Sequence, residues 1–538
     1  MSDTPQSTPA STGSDRAELR TLARGGIGGL LASLVSGLGG LAFITVAAWG
    51  FPKAEVGIVF TLTSLFLIAL AIVTLGSDVG VVRFVAIKMH SGQNDDVAAV
   101  LMATLAPVWV LSLVVTGLLW FCLPFLPFQH EYVRSAQVVS LFLPWAATSN
   151  LVLAGTRGLG SVRPTIMVES LLRQALQPIL AAIAAFQTNS AVWLALAWVF
   201  PYAVACLVGL RSYTRLCAAK GRQAWLSPFA PPVRAVSREV WAFNAPRALT
   251  QIAQIGIRRA DIPLVTLLAG PAQAAVYTAA SRFVASGLQA IKGIQQMVGP
   301  QIARLYAAGR PDQAGLALRT ATTWNVMIAW PVYVTCAVIP SVILMIFGRD
   351  YASGSSVVVI LALGMLVGIA AGPVDIALLM LGRSGLSLRN NLAALITNLI
   401  LNILLIPGLG INGAAFAWTA SILVSNALPT WQIRPILGNA SDRTTALVAA
   451  LAVVSIATPA TVLRLVGVEQ PLALFVATVV GGLVYLGLAW RFRRRLHLGE
   501  LAAVIRRRRN RKVNGATGSA AGLGRVSPTA TAPQEPTS

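Results

Sequence analysis

The sequence predicts an all-α polytopic membrane protein with fourteen transmembrane helices. Of its 538 residues, 56% are hydrophobic and only 11% are charged. Apolar runs of about twenty residues, long enough to cross a bilayer as a helix, recur from Ile27 to Trp490. When these runs are drawn as helices, most Lys and Arg residues fall on one side of the membrane, as the positive-inside rule requires.

The fourteen predicted helices follow directly from the apolar runs and their helical period. In chain order they are 27–49, 56–76, 97–123, 136–156, 165–186, 190–210, 240–268, 272–297, 320–347, 355–381, 387–407, 411–432, 444–463 and 471–490. An even number of spans places both termini on the same side of the membrane.

The basic residues predict which side that is. Of 41 Lys and Arg residues, 31 fall on the side of the termini and six lie inside helices. The opposite side carries only Lys53, Arg134, Arg349 and Arg464. We therefore expect both termini to be cytoplasmic. This sorting also accounts for the net charge of +23, so nucleic-acid binding is not expected.

An internal repeat predicts two related lobes. Glu131 and Tyr132 lead into an apolar helix, and Asp350 and Tyr351 do the same 219 residues later. Two six-helix lobes then lie about an axis along the membrane normal. The predicted divisions are a cytoplasmic tail (1–23), an N-lobe (24–215), a basic loop (216–238), a C-lobe (239–433), helices 13 and 14 (434–490), and a basic, then disordered tail (491–538).

Polar residues in the seventh predicted helix fall at intervals of 3, 4, 3, 4 and 3. They are Asn244, Arg247, Gln251, Gln254, Arg258 and Asp261. On an unbroken helix this spacing forms one stripe, which would face a bundle interior or a wet cavity rather than lipid. The same stripe would also be explained by charges that pair within the bundle, and Arg259, off the stripe, is expected to pair with Asp261.

The eighth predicted helix also carries a stripe of polar residues, which includes Arg282, Gln289 and Lys292. Together with Arg247 and Arg258 these cations would give a cleft a positive field, suited to an anionic headgroup such as pyrophosphate. We therefore predict that the two polar stripes bind substrate.

Three further charged residues lie inside predicted helices. Glu169 and Arg173 are spaced for an internal ion pair on a helix. A second hypothesis makes Glu169 a protonation site for transport coupled to a proton or sodium gradient. Asp375, beside Pro373, is a lone acid inside the tenth predicted helix and is a second candidate for ion coupling.

Other classes of site are not expected. The four cysteines have no disulfide or metal-binding spacing, and the three histidines are far apart. The glycine clusters lack the lysine of a phosphate-binding loop. No hydrolase or transferase constellation is present, so the sequence predicts neither an enzyme nor a bound cofactor or metal.

Four segments carry a resemblance to a known family. They are SDVGVVRFVA (77–86), FGRDY (347–351), LMLGRSGLSLRNN (379–391) and GINGAAFAWTAS (410–421). Their order and spacing resemble the polysaccharide-type, Wzx-like flippases of the multidrug/oligosaccharidyl-lipid/polysaccharide (MOP) exporter superfamily. The resemblance covers about residues 20–495.

The resemblance implies a MATE-like fold of two lobes around a cavity in the bacterial inner membrane. The implied activity is alternating access, which moves undecaprenyl-pyrophosphate-linked oligosaccharide to the outer face. Implied partners are membrane lipids and the polymerase and glycosyltransferase machinery, and helices 13 and 14 would hold the lipid tail. Lipid II-type precursors are the second choice, because 27–49 lacks the charges of lipid II flippases, and cation-coupled multidrug export is the third.

Overall fold

The structure is a computed structural model that describes residues 35–89, 96–125, 129–468 and 470–491. Within these ranges the regular secondary structure is helical. The first nine helices, which we call the N half, are α1 (Val35–Gly50), α2 (Lys53–Thr74), α3 (Ser77–Lys88), α4 (Asp96–Cys122), α5 (His130–Ser140), α6 (Leu143–Gly158), α7 (Arg163–Thr165), α8 (Arg173–Gln187) and α9 (Ala191–Ala219).

The next ten helices form the C half, and two more follow it. The C half contains α10 (Pro231–Arg259), α11 (Asp261–Ala269), α12 (Pro271–Ser286), α13 (Gln289–Ala307), α14 (Pro311–Val338), α15 (Pro340–Leu344), α16 (Ser355–Ala370), α17 (Val374–Met380), α18 (Ser384–Leu409) and α19 (Ile411–Leu437). The chain continues into α20 (Arg443–Leu465) and α21 (Pro471–Arg491).

The described part of the chain contains ten helical segments long and apolar enough to cross a membrane, or eleven if the bent pair α14 and α15 counts as one span. The protein is therefore a multi-pass membrane protein. Each of the fourteen predicted segments overlaps one helix or a pair of consecutive helices, while α10 and α13 are too polar to belong to the apolar set. The total of fourteen spans stays a prediction.

Several predicted helices are broken, and backbone chemistry explains where. A bend of 91° separates α14 from α15, which begins at Pro340. The predicted seventh helix divides into α10 and α11 at Ala260. Pro263 explains that break, because it cannot donate a hydrogen bond to the carbonyl of residue 259 and its ring crowds that group. Arg258 and Asp261 therefore do not lie on one continuous helix.

A second break separates α2 from α3. Leu75 and Gly76 both adopt left-handed backbone conformations, with φ values of 47° and 69°. Glycine reaches this region without a steric penalty, whereas leucine does not. A Cβ atom on Gly76 would lie 3.1 Å from the backbone nitrogen of Ala248 in α10. The break thus lets the chain approach the C half closely.

The N and C halves meet mainly through α2 and α12, with further contacts from α2, α3 and α4 to α10. Gly57 of α2 makes the closest approach, because a methyl group there would overlap the carbonyl oxygen of Pro271 at the start of α12. In the predicted repeat, α2 and α12 occupy equivalent positions in the two lobes.

We predict that Gly76→Ala lowers the thermal unfolding temperature of the purified protein. Strain at positive φ should destabilise the folded state by roughly 1–2 kcal/mol. Gly117→Ala is the matched control, since Gly117 lies within α4 and a Cβ atom there meets nothing within 4 Å. Equal unfolding temperatures for both variants would show that the break is not strained.

Candidate functional site

A cavity of about 370 Å³ lies between the two halves of the protein. Its walls come from α1, α2, α8 and α9 of the N half and from α10, α11 and α12 of the C half. The lining residues are Ser36, Gly37, Gly40, Leu41, Phe43, Ile44, Phe60, Thr63, Leu67, Arg173, Gln174, Gln177, Trp198, Tyr202, Arg259, Ile262, Thr278, Arg282, Ala285 and Ser286. Three are arginines and none is an acid.

Arg173 enters the cavity from the N half. Its Nη1 donates to the hydroxyl of Tyr202 at 2.5 Å, and its guanidinium lies 4.7 Å from the centre of that ring. Its Nε is buried without a hydrogen-bond partner. A π-helical turn over Ile166–Leu172 precedes Arg173 directly. Such turns are frequent at functional sites, because they change the direction in which the following side chains point.

Arg259 and Arg282 enter from the C half. Neither guanidinium lies within 4.0 Å of a carboxylate of any described residue. Asp261 is near enough to attract both electrostatically. However, it is only 4% exposed, and its two oxygens accept hydrogen bonds from the Tyr277 hydroxyl at 2.7 Å and the Ile262 amide at 2.9 Å. The acid is therefore held behind the cavity wall.

The charges at the cavity are unequal in number. Three arginines face it and one buried acid, Asp261, lies behind it, which leaves a net charge of +2 among these residues. In a partly desolvated setting such charges act strongly, because the local dielectric constant is far below that of water. The arrangement is suited to a ligand that carries about two negative charges.

The rest of the lining is neutral. Gln174, Gln177 and Thr278 supply hydrogen-bonding groups, while Trp198 supplies an aromatic wall. Trp198 packs against Phe66 and Tyr202, with ring centroids 5.5 Å apart in each pair. The cavity thus combines a cationic part with a neutral polar and aromatic part.

The two halves contact each other at one end of the cavity through Lys53, and we call this the Lys53 end. Lys53 Nζ lies 3.2 Å from Asp350 Oδ2 and 5.9 Å from the centre of the Tyr351 ring. The indole of Trp49 donates to the carbonyl of Ile346 at 2.9 Å. The positive-inside rule predicts that this end faces outward.

The halves also contact each other at the opposite end, around Asn244. Asn244 is fully buried, and its amide donates to Ser77 Oγ at 3.3 Å. The ring of Phe243 packs against Phe84 at 5.8 Å, and Arg83 lies 4.6 Å from the centre of the Phe243 ring. Contacts between the halves therefore flank the cavity on both sides, which is typical of a closed conformation.

The predicted stripe on the seventh helix does not face a single environment. Asn244 is buried at the interface between the halves, whereas Arg247 and Arg258 are exposed. Gln251 and Gln254 are half-buried, and Gln251 Oε1 has no hydrogen-bond partner. None of these five residues lines the cavity. Arg259, which the stripe leaves out, lines it instead.

The other predicted site residues also differ in whether they line the cavity. Arg282 lines the cavity, while the side chains of Gln289 and Lys292 lie outside the described residues. The Glu169–Arg173 ion pair is not formed in this structure, because the π-helical turn replaces the regular helix that the pairing assumes. Arg173 binds Tyr202 instead.

The two acids proposed for ion coupling lie away from the cavity. Glu169 is half-buried in the π-helical turn. Asp375 is half-buried near the start of α17, where its Oδ1 accepts a hydrogen bond from Ser387 Oγ at 2.6 Å. Neither residue lines the cavity. Ion coupling through them stays a prediction.

The sequence reasoning missed Arg259 and the N-half wall of Gln174, Gln177, Trp198 and Tyr202. No sequence signal distinguished Arg259 from Arg258, since both lie in α10 before the break, and Pro263 explains only why Asp261 does not continue the stripe. The wall residues carried no comparable signal, because neutral polar and aromatic side chains are common in any membrane helix.

A second space, an apolar groove of about 540 Å³, lies beside the C half. Its walls come from α14, α16 and α20, and four alanines, Ala370, Ala446, Ala449 and Ala450, contribute small side chains. Asp442, which caps the start of α20, lies at one end of it. The groove is thus bounded by α20 and the C half rather than by α20 and α21.

Comparison with known proteins identifies a family signature in part of the chain. Residues 246–404, from α10 into α18, match the MatE family model. The Probable low-salt glycan biosynthesis flippase Agl15 of Haloferax volcanii is 24% identical over 169 residues. This match covers 31% of the chain but only 36% of Agl15, about a third of that relative's length.

Two solved structures share the fold over most of the chain. The lipid II flippase MurJ in its inward closed conformation matches with a TM-score of 0.69 at 13% identity, covering 87% of this chain and 98% of MurJ. An inward-facing MATE multidrug resistance transporter matches with a TM-score of 0.64 at 15% identity, covering 76% and 98%. The chain therefore shares the fold of these two structures and matches the MatE model over residues 246–404.

We predict that the Lys53–Asp350 ion pair helps to keep its end of the cavity closed. Thr63→Cys, introduced after the four native cysteines are replaced, places a thiol in the cavity wall for labelling by a membrane-impermeant maleimide. Lys53→Asp should speed labelling several-fold, because it places two acids together. The double variant Lys53→Asp with Asp350→Lys should restore the slow rate. If Lys53→Asp leaves the labelling rate unchanged, the pair does not control access.

Proposed function

We propose that this protein flips undecaprenyl-pyrophosphate-linked oligosaccharide repeat units across the bacterial inner membrane. Such units are precursors of O-antigen, capsule or exopolysaccharide. In this proposal both termini are cytoplasmic, the Lys53 end faces outward, and the lipid-linked sugar moves from the cytoplasmic to the outer face. The observation that carries the proposal is the set of Arg173, Arg259 and Arg282 on a cavity wall without an acid.

The chemistry of the arginines supports a pyrophosphate ligand. Guanidinium groups bind phosphate oxygens through paired, charge-assisted hydrogen bonds, and they remain charged in a protein interior. A pyrophosphate esterified at both ends carries one negative charge on each phosphate. That total of about two balances the net charge of +2 from the three arginines and Asp261.

The distribution of the arginines supports alternating access. Arg173 belongs to the N half, and Arg259 and Arg282 belong to the C half. Without a ligand these like charges repel one another across the cavity. A bound pyrophosphate would attract both halves, so binding would favour closure around the headgroup. Opening at the Lys53 end would then require the Lys53–Asp350 pair to separate.

In this proposal the apolar groove binds part of the lipid chain. A groove lined by alanines leaves room for a flexible hydrocarbon on a surface that faces lipid. We propose that α20 and the C half, rather than α20 and α21, hold part of the undecaprenyl chain while the headgroup is in the cavity. The weak similarity to a glycan biosynthesis flippase is consistent with such a substrate.

The cavity argues against one of the two alternatives and is compatible with the other. A cation-coupled multidrug exporter would need acids to attract cationic drugs, and the described lining contains none. A flippase for lipid II-type precursors would bind the same pyrophosphate group, and the fold shared with MurJ is consistent with this alternative. The two flippase activities differ in the sugar, so direct binding of each substrate separates them.

We predict that Arg259→Gln and Arg282→Gln each weaken binding of undecaprenyl diphosphate by roughly tenfold or more, because each removes a charge-assisted hydrogen bond. Arg258→Gln is the matched control, since Arg258 is exposed and does not line the cavity. It should change affinity by less than about twofold. Titration of the purified full-length protein in nanodiscs measures all three.

The same variants test transport in cells. With normal protein levels, Arg259→Gln and Arg282→Gln should abolish the surface polysaccharide, whereas Arg258→Gln should not. Wild-type polysaccharide in both cavity variants, or a loss in Arg258→Gln alone, would contradict the proposed site.

A further inference from the structure

We infer that the π-helical turn over Ile166–Leu172 is a register switch, which brings Glu169 to Arg173 and so withdraws that arginine from the ligand. This role rests on the proposed function, in which Arg173 binds the pyrophosphate. It goes further because it assigns a task to an acid that does not line the cavity, and because it explains how a strongly held anion is released.

The hydrogen bonding of the turn shows what the two registers are. In this structure the backbone amide of Arg173 donates to the carbonyl of Val168, five residues earlier. In an α-helix the same amide would donate to Glu169, four residues earlier. The π-helical turn therefore holds one residue more than an α-helical turn. The register decides whether Val168 or Glu169 lies next to Arg173 on the helix.

The π register keeps two opposite charges apart. Glu169 lies in the apolar span Arg163–Gln187, where it is half-buried and forms no ion pair with a described residue. The Nε of Arg173 is buried without a hydrogen-bond partner. Unpaired charges in a membrane span are unfavourable, whereas Glu and Arg four residues apart on an α-helix attract each other. The α register would therefore gain an ion pair that this structure lacks.

The packing of α8 indicates which part of the chain turns. A Cβ atom on Gly39 would lie 2.7 Å from the carbonyl oxygen of Gln174, and one on Gly50 would lie 2.5 Å from the Cβ atom of Ala185. Helix α1 thus holds α8 along its length. On the other side of the turn, α7 has only three residues and follows Gly160, whose φ of 85° glycine adopts without strain. A change of register therefore turns the α7 side by about 100° and leaves α8 in place.

Glu169 and the ligand then compete for one guanidinium. In the α register Glu169 takes the place that Val168 holds in this structure, beside Leu153 and Ala205. A carboxylate buried there is stable only when it is paired, so the α register requires Arg173 to be free. A pyrophosphate bound to Arg173 removes that partner and favours the π register. Pairing with Glu169 instead lowers the net charge at the cavity from +2 to +1.

Deletion of Met167 should fix the α register. The side chain of Met167 is exposed, and removal of one residue lets an α-helix join α7 to α8 without turning either. Titration of the purified full-length protein in nanodiscs should then show roughly tenfold weaker binding of undecaprenyl diphosphate, because Glu169 stays paired with Arg173. Adding Glu169→Gln to the deletion should restore the affinity to within about threefold of the wild type.

The single variant Glu169→Gln tests the same competition in a chain of normal length. It should slow the dissociation of undecaprenyl diphosphate by roughly threefold or more, because no carboxylate then displaces the phosphate from Arg173. Glu239→Gln is the matched control, since it removes the same charge from an exposed position on α10. Surface plasmon resonance should show a dissociation rate within about twofold of the wild type for this control.

The outcomes separate the switch from the proposed function. Wild-type affinity in the deletion variant, or a loss that Glu169→Gln does not restore, would overturn the switch, because a purely structural turn does not depend on the acid. If the deletion prevents folding, the release rate decides, and a wild-type rate for Glu169→Gln would overturn the switch. Failure of undecaprenyl diphosphate to bind the wild-type protein would instead overturn the proposed function.

Discussion

Three guanidinium groups in the interior of a membrane protein impose the constraint on which the arrangement of the molecule depends. Charge in a bilayer is unfavourable unless it meets water, an opposite charge or a ligand. Arg173, Arg259 and Arg282 have no carboxylate of a described residue within 4.0 Å. The cavity is therefore required by the arginines, since it is the space in which water or an anion can satisfy them.

The neighbouring residues hold these charges without neutralising them. Tyr202 orients Arg173 through its hydroxyl and its ring. Asp261 is engaged by Tyr277 and by a backbone amide, so it moderates the field of Arg259 and Arg282 from behind the wall. Because the arginines come from both halves, the charge that attracts a ligand also opposes closure in its absence. One set of side chains can thus couple headgroup binding to movement of the halves.

Much of the fold was predictable because membrane helices are specified by long apolar runs, which a sequence displays directly. The site was only partly predictable, because the 3/4 spacing of polar residues has meaning only on an unbroken helix. Pro263 breaks that helix after Arg259, so Asp261 does not continue the stripe, and within α10 it is Arg259 rather than Arg258 that lines the cavity. The π-helical turn before Arg173 is less visible in sequence, since no single residue type determines it. Glu131 and Asp350, which are equivalent in the predicted repeat, also differ in their contacts. Asp350 pairs with Lys53 of the other half, whereas Glu131 accepts hydrogen bonds from the Ser190 hydroxyl and the Ala191 amide within its own half.

The central claim is that the cavity recognises a pyrophosphate through its negative charge and its phosphate oxygens. The most direct test is the affinity of the unmodified full-length protein for undecaprenol, undecaprenyl phosphate and undecaprenyl diphosphate, three ligands that differ only in charge and phosphate number. We expect affinity to rise by roughly tenfold with each phosphate and to fall as salt is added. Equal affinity for undecaprenol and undecaprenyl diphosphate would contradict the account.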